Sequence, residues 1–120
     1  MIELEFPEEY KGIAVMRLPR DVLEDRKSGS TIADNLHWQL YKLKENNANV
    51  VALDLKEFDM PISATYAAIG IAYVVCDGNG YKLVCFNLNE HCKERYVSFN
   101  LHSIIHVYDT LEEIVSKEIK

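Results

Sequence analysis

The chain has 120 residues, of which 48% are hydrophobic and 27% charged, and its formal net charge is −6. This length and balance predict one globular domain over residues 1–120 that needs no disulfide or metal to fold. The negative charge disfavours nucleic-acid and anionic-membrane binding, since both need a basic surface. Three cysteines without a C-x-x-C pair, and an acidic N-terminus unlike a signal peptide, predict a cytoplasmic protein with free thiols.

The N-terminal residues predict a strand hairpin. Apolar and acidic residues alternate over 2–6, which is typical of a strand with one buried face. Residues 13–18 form a second apolar run after a turn that contains Gly12. The polar residues 20–29 then predict a loop with at most one helical turn.

A helix and a central strand are expected next. Ser30 or Thr31 is expected to cap a helix with one apolar stripe, formed by Ile32, Leu36, Leu40 and Leu43. The run from Val50 to Leu55 is apolar apart from Asp54. Such a run predicts a central strand that is covered on both faces.

A second helix is predicted from Ser63 to about Val75, after a loop over residues 56–62. It is apolar nearly all round, which predicts a buried helix. The segment Asp77-Gly78-Asn79-Gly80 is a strong turn signal that ends this helix.

The C-terminal part predicts two more strands and two more helices. Strands are expected over 81–87 and 103–107, and Asn89 is expected to cap a short helix between them. Asp109, followed three residues later by Glu112, predicts a capping box for the last helix. The order β-β-α-β-α-β-α-β-α predicts an α/β domain with a mixed, mostly parallel sheet of about five strands and covering helices.

The sequence lacks the motifs of common catalytic and metal sites. It contains no phosphate-binding P-loop, and Gly78-Asn79-Gly80 precedes a strand, which does not fit a dinucleotide fingerprint. The histidine and cysteine spacings do not match a zinc site, and Ser63 lacks the G-x-S-x-G context of hydrolases. We therefore expect no enzymatic activity, no cofactor and no metal.

Asp54 and Asp59 bracket the loop after the central strand. Ligands of open α/β sheets bind at the carboxyl ends of strands, so a small-molecule or nucleotide sensor at residues 54–63 is one hypothesis. Paired carboxylates there could also hold magnesium. The interpretation that we favour is simpler, with Asp54 as a strand-end cap and Asp59 as a solvated loop charge.

Ser63 is the most informative residue, because it stands at the start of an apolar helix. A helix N-terminus carries partial positive charge and unpaired N–H groups, so a phosphate is stabilised there. Phosphorylation of Ser63 would change what this edge binds without refolding the core. Position alone favours a plain helix cap, and both interpretations stay open.

Three stretches resemble the STAS domain family, which includes the bacterial anti-anti-sigma factors. Val50 to Leu55 is similar to the central strand of the family, which ends in Asp-Leu. The segment Ile62-Ser63-Ala64-Thr65 falls where the family carries Asp-Ser-Ser/Thr-Gly, its phosphorylation switch. Residues 107–113 are similar to the last strand and final helix. The resemblance implies a single STAS-like domain.

The resemblance also implies a function in signalling and transcription regulation. The chain would be an anti-sigma factor antagonist that binds an anti-sigma factor with serine-kinase activity, and a phosphatase would reset the switch. Ser63 then holds the phosphoacceptor position, with Thr65 as a weaker candidate. The implied partner-binding residues are Asp54, Asp59, Ile62, Ser63, Ala64 and Thr65. Nucleic acid and membrane are not expected partners, and a homodimer is allowed.

Two departures from the family motif support an alternative interpretation. Ile62 stands in place of the aspartate of the motif, and Thr65 in place of its glycine. The chain can therefore also be interpreted as a STAS scaffold or stressosome-like interaction module that is never phosphorylated. In such an assembly the alternating first strand could pair edge to edge with another copy.

Overall fold

The computed structural model describes residues 2–24 and 28–119. Its strands are β1 (Leu4–Glu5), β2 (Ile13–Arg17), β3 (Val50–Asp54), β4 (Lys82–Phe86) and β5 (Val107–Tyr108). Its helices are α1 (Arg20–Leu23), α2 (Ser28–Glu45), α3 (Ser63–Asp77), α4 (Glu90–Ser98) and α5 (Leu111–Glu118), and Leu101–Ser103 forms a 3₁₀ turn. Residues 25–27, part of the predicted polar loop, lie outside the described residues.

The strands form one sheet in the order β1-β2-β3-β4-β5. β1 pairs antiparallel with β2, and the other neighbours are parallel. Ala52 in β3 pairs with Val15 on one side and Val84 on the other, so β3 is the central strand that its apolar run predicts. The predicted α/β class and mostly parallel five-stranded sheet are therefore confirmed.

The helices cover the two faces of the sheet unequally. Leu23, Ile69 and Tyr96, which come from α1, α3 and α4, share one core with residues of α2 and one face of the sheet. α5 covers the opposite face through apolar side chains that include Ile114. All five residues of β3 are buried as a result. The strands follow one another in the sheet in the same order as in the chain. Right-handed crossovers between successive parallel strands then place all the connecting helices on the same face of the sheet.

Side chains of α2 close the outer edge of β1. Asn35 Oδ1 accepts a hydrogen bond from the Ile2 N–H at 2.8 Å, and Gln39 Oε1 accepts one from the Leu4 N–H at 2.8 Å. Gln39 Nε2 donates to the Ile2 carbonyl at 2.6 Å. These amides occupy the backbone groups that an added strand would need. The hypothesis that the first strand pairs edge to edge with another copy is therefore wrong for this structure.

α2 begins earlier than its sequence predicts. The helix starts at Ser28, so neither Ser30 nor Thr31 is its cap. α1 contacts α2, and Leu23 and Ile32 lie in the same core. Tertiary packing of this kind commonly overrides the capping preference of a polar segment.

β5 begins later than predicted, because Ile105 packs in the core and bonds to Tyr96 and does not pair with β4. The Ile105 side chain is buried, and its carbonyl accepts a hydrogen bond from the Tyr96 hydroxyl at 2.7 Å. The segment before it forms the 3₁₀ turn, so only Val107 and Tyr108 pair with β4.

The cap of α5 is correspondingly one residue later than predicted. Thr110, not Asp109, is the N-cap, and its Oγ1 accepts from the Glu113 N–H at 3.1 Å. Glu113 Oε1 in turn accepts from the Asp109 N–H at 3.2 Å. The two bonds form a variant of the expected capping box.

α3 is buried on one side only, so the prediction of a buried helix is wrong for its outer face. Ala68, Ile69 and Ala72 are fully buried against the sheet and α2. Val74 is 66% exposed and Ile71 is 47% exposed. An apolar composition therefore gives this helix an apolar outer face as well as an apolar inner one.

Glu118 attaches the end of α5 to the sheet. Its side chain is only 10% exposed, and its Oε1 lies 2.7 Å from Lys82 Nζ. The Tyr108 hydroxyl donates to Glu118 Oε2 at 2.5 Å. Burial alone would raise the pKa of Glu118, but the bonds from Lys82 and Tyr108 outweigh it and hold the pKa below its usual value.

This depressed pKa predicts a loss of stability in acid. The Glu118 contribution is present above the usual glutamate pKa of about 4.3 and is lost as the pH falls through the lower folded value. Glu118→Gln should therefore lower the free energy of unfolding at neutral pH, because it removes the charge that pairs with Lys82. The expected loss is only about 1 kcal/mol, because Lys82 is half exposed and solvent screens the pair. The free energies of unfolding of both proteins, measured by urea titration at a series of pH values, should converge once the pH is below the folded pKa of Glu118. An equal difference at every pH would contradict this role.

Candidate functional site

Ser63 is the first residue of α3 and does not cap it. Ile62 is the N-cap residue, with extended backbone dihedrals, and its side chain makes no capping hydrogen bond. The Ile62 carbonyl accepts a hydrogen bond from the Thr65 N–H at 3.0 Å. Ser63 is exposed, and within residues 2–24 and 28–119 its hydroxyl has no hydrogen-bond partner. The interpretation of Ser63 as a helix cap is therefore wrong, and its hydroxyl faces solvent.

Thr65 lies two residues on and has the opposite environment. Its side chain is fully buried, and its hydroxyl donates a hydrogen bond to the Leu23 carbonyl in α1. A kinase could reach this hydroxyl only if α1 and α3 separated. The second hydroxyl of the Ser63 segment is thus a packing contact in this structure.

An apolar groove begins at Ser63 and runs along α3. It has a volume of about 260 Å³ and is lined by Ser63, Tyr66, Ala67, Gly70, Phe99 and Leu101. The Tyr66 and Phe99 rings lie 5.2 Å apart, and the Tyr66 hydroxyl donates to the Cys92 carbonyl at 2.8 Å. Burial raises the pKa of Tyr66, so its hydroxyl stays neutral. The groove is therefore an uncharged surface with one exposed hydroxyl at its end.

A more polar cleft lies beside the groove. Its volume is about 370 Å³, and it is lined by Pro61, His91, Glu94, Arg95 and Ser98. The Arg95 guanidinium stands 5.9 Å from the centre of the Phe99 ring, within cation–π distance. Arg95 therefore lines the charged cleft and contacts Phe99, which lines the apolar groove.

Sequence reasoning missed the α4 side of this groove. Asn89 is the cap of α4 as predicted, since its Oδ1 accepts from the Cys92 N–H at 2.8 Å. That cap fixes where α4 starts but not which helix it meets. Phe99 and Leu101 follow the end of α4, and no signal in the sequence pairs them with α3.

Asp54 is the centre of a polar network at the carboxyl end of β3. It is 5% exposed. Its Oδ2 lies 2.6 Å from Arg17 Nη1, and its Oδ1 accepts from the Lys56 N–H and Asn87 Nδ2, both at 3.0 Å. Arg17 also reaches Glu5, at 3.0 Å. The favoured interpretation of Asp54 as a strand-end cap agrees with this geometry.

Asn87 shows how the network could have been anticipated. It follows β4 and has a φ of 64°, in the left-handed region that asparagine adopts more readily than most residues. An asparagine directly after a parallel strand lies at the same sheet edge as Asp54, since parallel strands end together. Sequence reasoning did not draw that connection.

The remaining candidate residues lie around the loop before α3. Asp59 Oδ2 is 3.0 Å from Arg20 Nη1, so Asp54 and Asp59 are held by different arginines. Ile62 and Ala64 are partly buried beside Ser63. Within the described part of the chain, no three histidine, cysteine, aspartate or glutamate side chains cluster as a metal site requires.

The cysteine thiols are packed in the core. Cys76, Cys85 and Cys92 are buried and free. Burial raises the pKa of both the Cys76 and Cys85 thiols to about 12, so neither is a thiolate nucleophile at neutral pH.

None of the described helices is long and apolar enough to cross a membrane.

Comparison with known proteins identifies the fold. No protein-family model and no curated protein matches the sequence. The NMR structure of the protein TM1081 is similar with a TM-score of 0.74 and 14% identity, over 98% of this chain and 87% of that one. A crystal structure from Thermotoga maritima, called a "putative anti-sigma factor antagonist (tm1081)", has a TM-score of 0.68 and 15% identity, over 97% and 92% of the two chains. At this level of identity the likeness shows the fold alone, and the chain shares its α/β fold with these two structures.

Proposed function

We propose that this chain is a cytoplasmic regulator of the anti-sigma factor antagonist type, which binds an anti-sigma factor and is switched by phosphorylation of Ser63. The observation that carries the proposal is the exposed Ser63 hydroxyl at the end of an apolar groove, which bonds to none of the residues that the structure describes. A similar fold occurs in the "putative anti-sigma factor antagonist (tm1081)", which supports this type of regulator. An exposed hydroxyl and an apolar groove lie together, which supports a combined role in binding and switching.

The position of Ser63 explains how a phosphate would act. A phosphoserine carries about −1.5 to −2 charges at neutral pH. The first turn of α3 has no acidic residue, so its N-terminal N–H groups would stabilise the added charge. The helix would stay intact while the mouth of an apolar groove became strongly anionic. An apolar side chain of the partner would then have to be buried beside a dianion, which is costly.

The groove accounts for the binding half of the proposal. Ala67 and Gly70 keep its floor low, and a Cβ added at Gly70 would meet no atom within 4 Å. A large apolar side chain of the anti-sigma factor fits such a surface, and the net charge of −6 favours a basic partner. The partner would act as the serine kinase, with a phosphatase reversing the step.

The experiment measures modification and binding together. The purified chain is incubated with ATP and the anti-sigma factor kinase encoded in the same genome, and phosphate is mapped by mass spectrometry. We expect one phosphate on Ser63 and none in Ser63→Ala. Ser63→Asp should weaken kinase binding at least about tenfold, whereas Ser116→Asp, the same change at an exposed site on α5, should not.

A groove variant separates binding from switching. Gly70→Leu has room in the folded protein but fills the groove, so it should weaken binding about tenfold without preventing folding. Absence of phosphate at Ser63, together with unchanged binding in Ser63→Asp, would leave the never-phosphorylated scaffold as the better interpretation. The sensor hypothesis gains nothing from the geometry, because Asp54 and Asp59 are both held by arginines.

A further inference from the structure

Arg95 on α4 carries a positive charge that forms no ion pair with any described carboxylate. The side chain is exposed, and within residues 2–24 and 28–119 it makes no hydrogen bond either. Its guanidinium instead stands over the Phe99 ring, 5.9 Å from the ring centre. A guanidinium can donate two parallel hydrogen bonds to the oxygens of a phosphate. Arg95 is therefore available to bind an anionic group beside the groove.

The surroundings of Arg95 overlap with those of Ser63. Phe99, which Arg95 contacts, lines the same groove as Ser63. Arg95 also lines the adjoining cleft together with Pro61, two residues before Ser63. On the other side of Ser63, burial raises the pKa of Tyr66, and the charge of Arg95 partly opposes that rise. The residues that flank Ser63 on both sides thus lie near this one guanidinium.

The acidic groups near this edge do not compete strongly for Arg95. On the loop before α3, Asp59 and Glu57 lie 3.0 Å and 3.7 Å from the guanidinium of Arg20, which compensates their charge. Glu94 lines the cleft but not the groove. It is the neighbour of Arg95 in α4, so its side chain leaves the helix about 100° away. Arg95 is thus the charged residue of the cleft that also meets the groove.

We propose that Arg95 binds the phosphate of Ser63 once this serine is phosphorylated, and that the resulting ion pair closes the mouth of the groove. The inference rests on the proposed function and specifies how phosphorylation acts on binding. In the phosphorylation step, Ser63 Oγ forms a bond to the γ-phosphorus of ATP, the bond from that phosphorus to ADP breaks, and the hydroxyl proton is released. The product is a dianion with three acceptor oxygens, which matches the donors of Arg95.

The bond to the phosphate is expected to displace the contact with Phe99. A cation–π contact at an exposed site is weak, whereas paired hydrogen bonds between a guanidinium and a phosphate are charge-assisted and stronger. Arg95 would therefore turn from the Phe99 ring towards Ser63 and join α4 to α3 across the groove. A side chain of the partner is then excluded by this bridge as well as by the added charge.

Phosphorus NMR of the full chain with phosphoserine at position 63 tests the contact. The phosphoserine is introduced during translation, so that no kinase is needed. Because a nearby cation favours the dianion, the second pKa of the phosphate should lie at about 5.5 or below, compared with its ordinary value of about 6. Arg95→Gln should return this pKa to about 6. Arg95→Lys, which keeps the charge but not the planar pair of donors, should give an intermediate value.

Lys117→Gln is the matched control for Arg95→Gln. It removes an equal charge from an exposed site on α5, which covers the opposite face of the sheet, so it should leave the phosphate pKa unchanged. His91 lines the same cleft as Arg95, so the titration is repeated in His91→Gln, where the effect of Arg95→Gln should persist. A phosphate pKa that Arg95→Gln does not change, or that Lys117→Gln raises equally, would overturn the proposal.

This experiment separates the bridge from the switch itself. If the kinase does not modify Ser63, the proposed function fails, but the titration of the translated phosphoserine still gives its result. If Arg95 does not hold the phosphate, phosphorylation still adds charge at the groove, and only the bridge is lost.

Discussion

Thr65→Asp should lower the free energy of unfolding by about 4 kcal/mol or more, whereas Ser63→Asp should leave it nearly unchanged. Thr65 is fully buried, and the variant replaces its bond to the Leu23 carbonyl with an unpaired charge. Since small domains are stable by only about 5–15 kcal/mol, much of the protein would be unfolded. At the exposed Ser63 the same side chain lies in the first turn of α3, where an acid contributes about 0.3–1 kcal/mol of stability.

Urea unfolding followed by far-ultraviolet circular dichroism measures both variants. Fluorescence is less suitable, because Trp38 is already exposed in the folded protein. Thr65→Val, which keeps the shape but removes the hydrogen bond, should cost about 1–2 kcal/mol. A Thr65→Asp protein as stable as the original would show that this segment opens readily, and Thr65 would become a realistic second acceptor.

Asp54→Ala should cost about 2–3 kcal/mol, the second largest effect that we expect. The change removes a buried carboxylate that accepts from Asn87 and the Lys56 N–H and pairs with Arg17. The expected loss of stability reflects the buried hydrogen bonds to the Asp54 carboxylate. It is not larger, because Arg17 is half exposed and water can solvate its guanidinium once the carboxylate is gone.

Asp59→Ala is the matched control for Asp54→Ala. It removes a carboxylate that also faces an arginine, but Asp59 and its partner Arg20 are both well exposed. We expect a change of no more than about 0.5 kcal/mol in thermal or urea unfolding. Equal effects of the two substitutions would mean that the Asp54 network does not hold the carboxyl edge of the sheet together.

The fold could be predicted because its signals are local. The apolar run of β3, the strong turn at 77–80 and the Asn89 cap each specify one element without reference to the rest of the chain. Their order then leaves few ways to build a parallel sheet. The errors occurred where a tertiary contact decided the outcome, as with Ile105, whose carbonyl accepts a hydrogen bond from the Tyr96 hydroxyl.

The candidate site was only partly predictable for the same reason. The start of α3 placed Ser63 at a helix end, but burial of Thr65 depends on α1, which lies 42 residues earlier in the chain. The groove depends on Phe99 and Leu101, which no sequence period links to Ser63. Ser63 and Thr65 both carry a hydroxyl group and lie two residues apart, but packing leaves the first exposed and buries the second.

The amides of Asn35 and Gln39 at the edge of β1 have a consequence for how copies of this chain can assemble. Strand addition is open-ended, because each added copy exposes a new edge for the next one. With that edge occupied by the chain's own side chains, growth in this direction is stopped at the first molecule. α2 therefore protects this edge of the sheet against aggregation by strand addition.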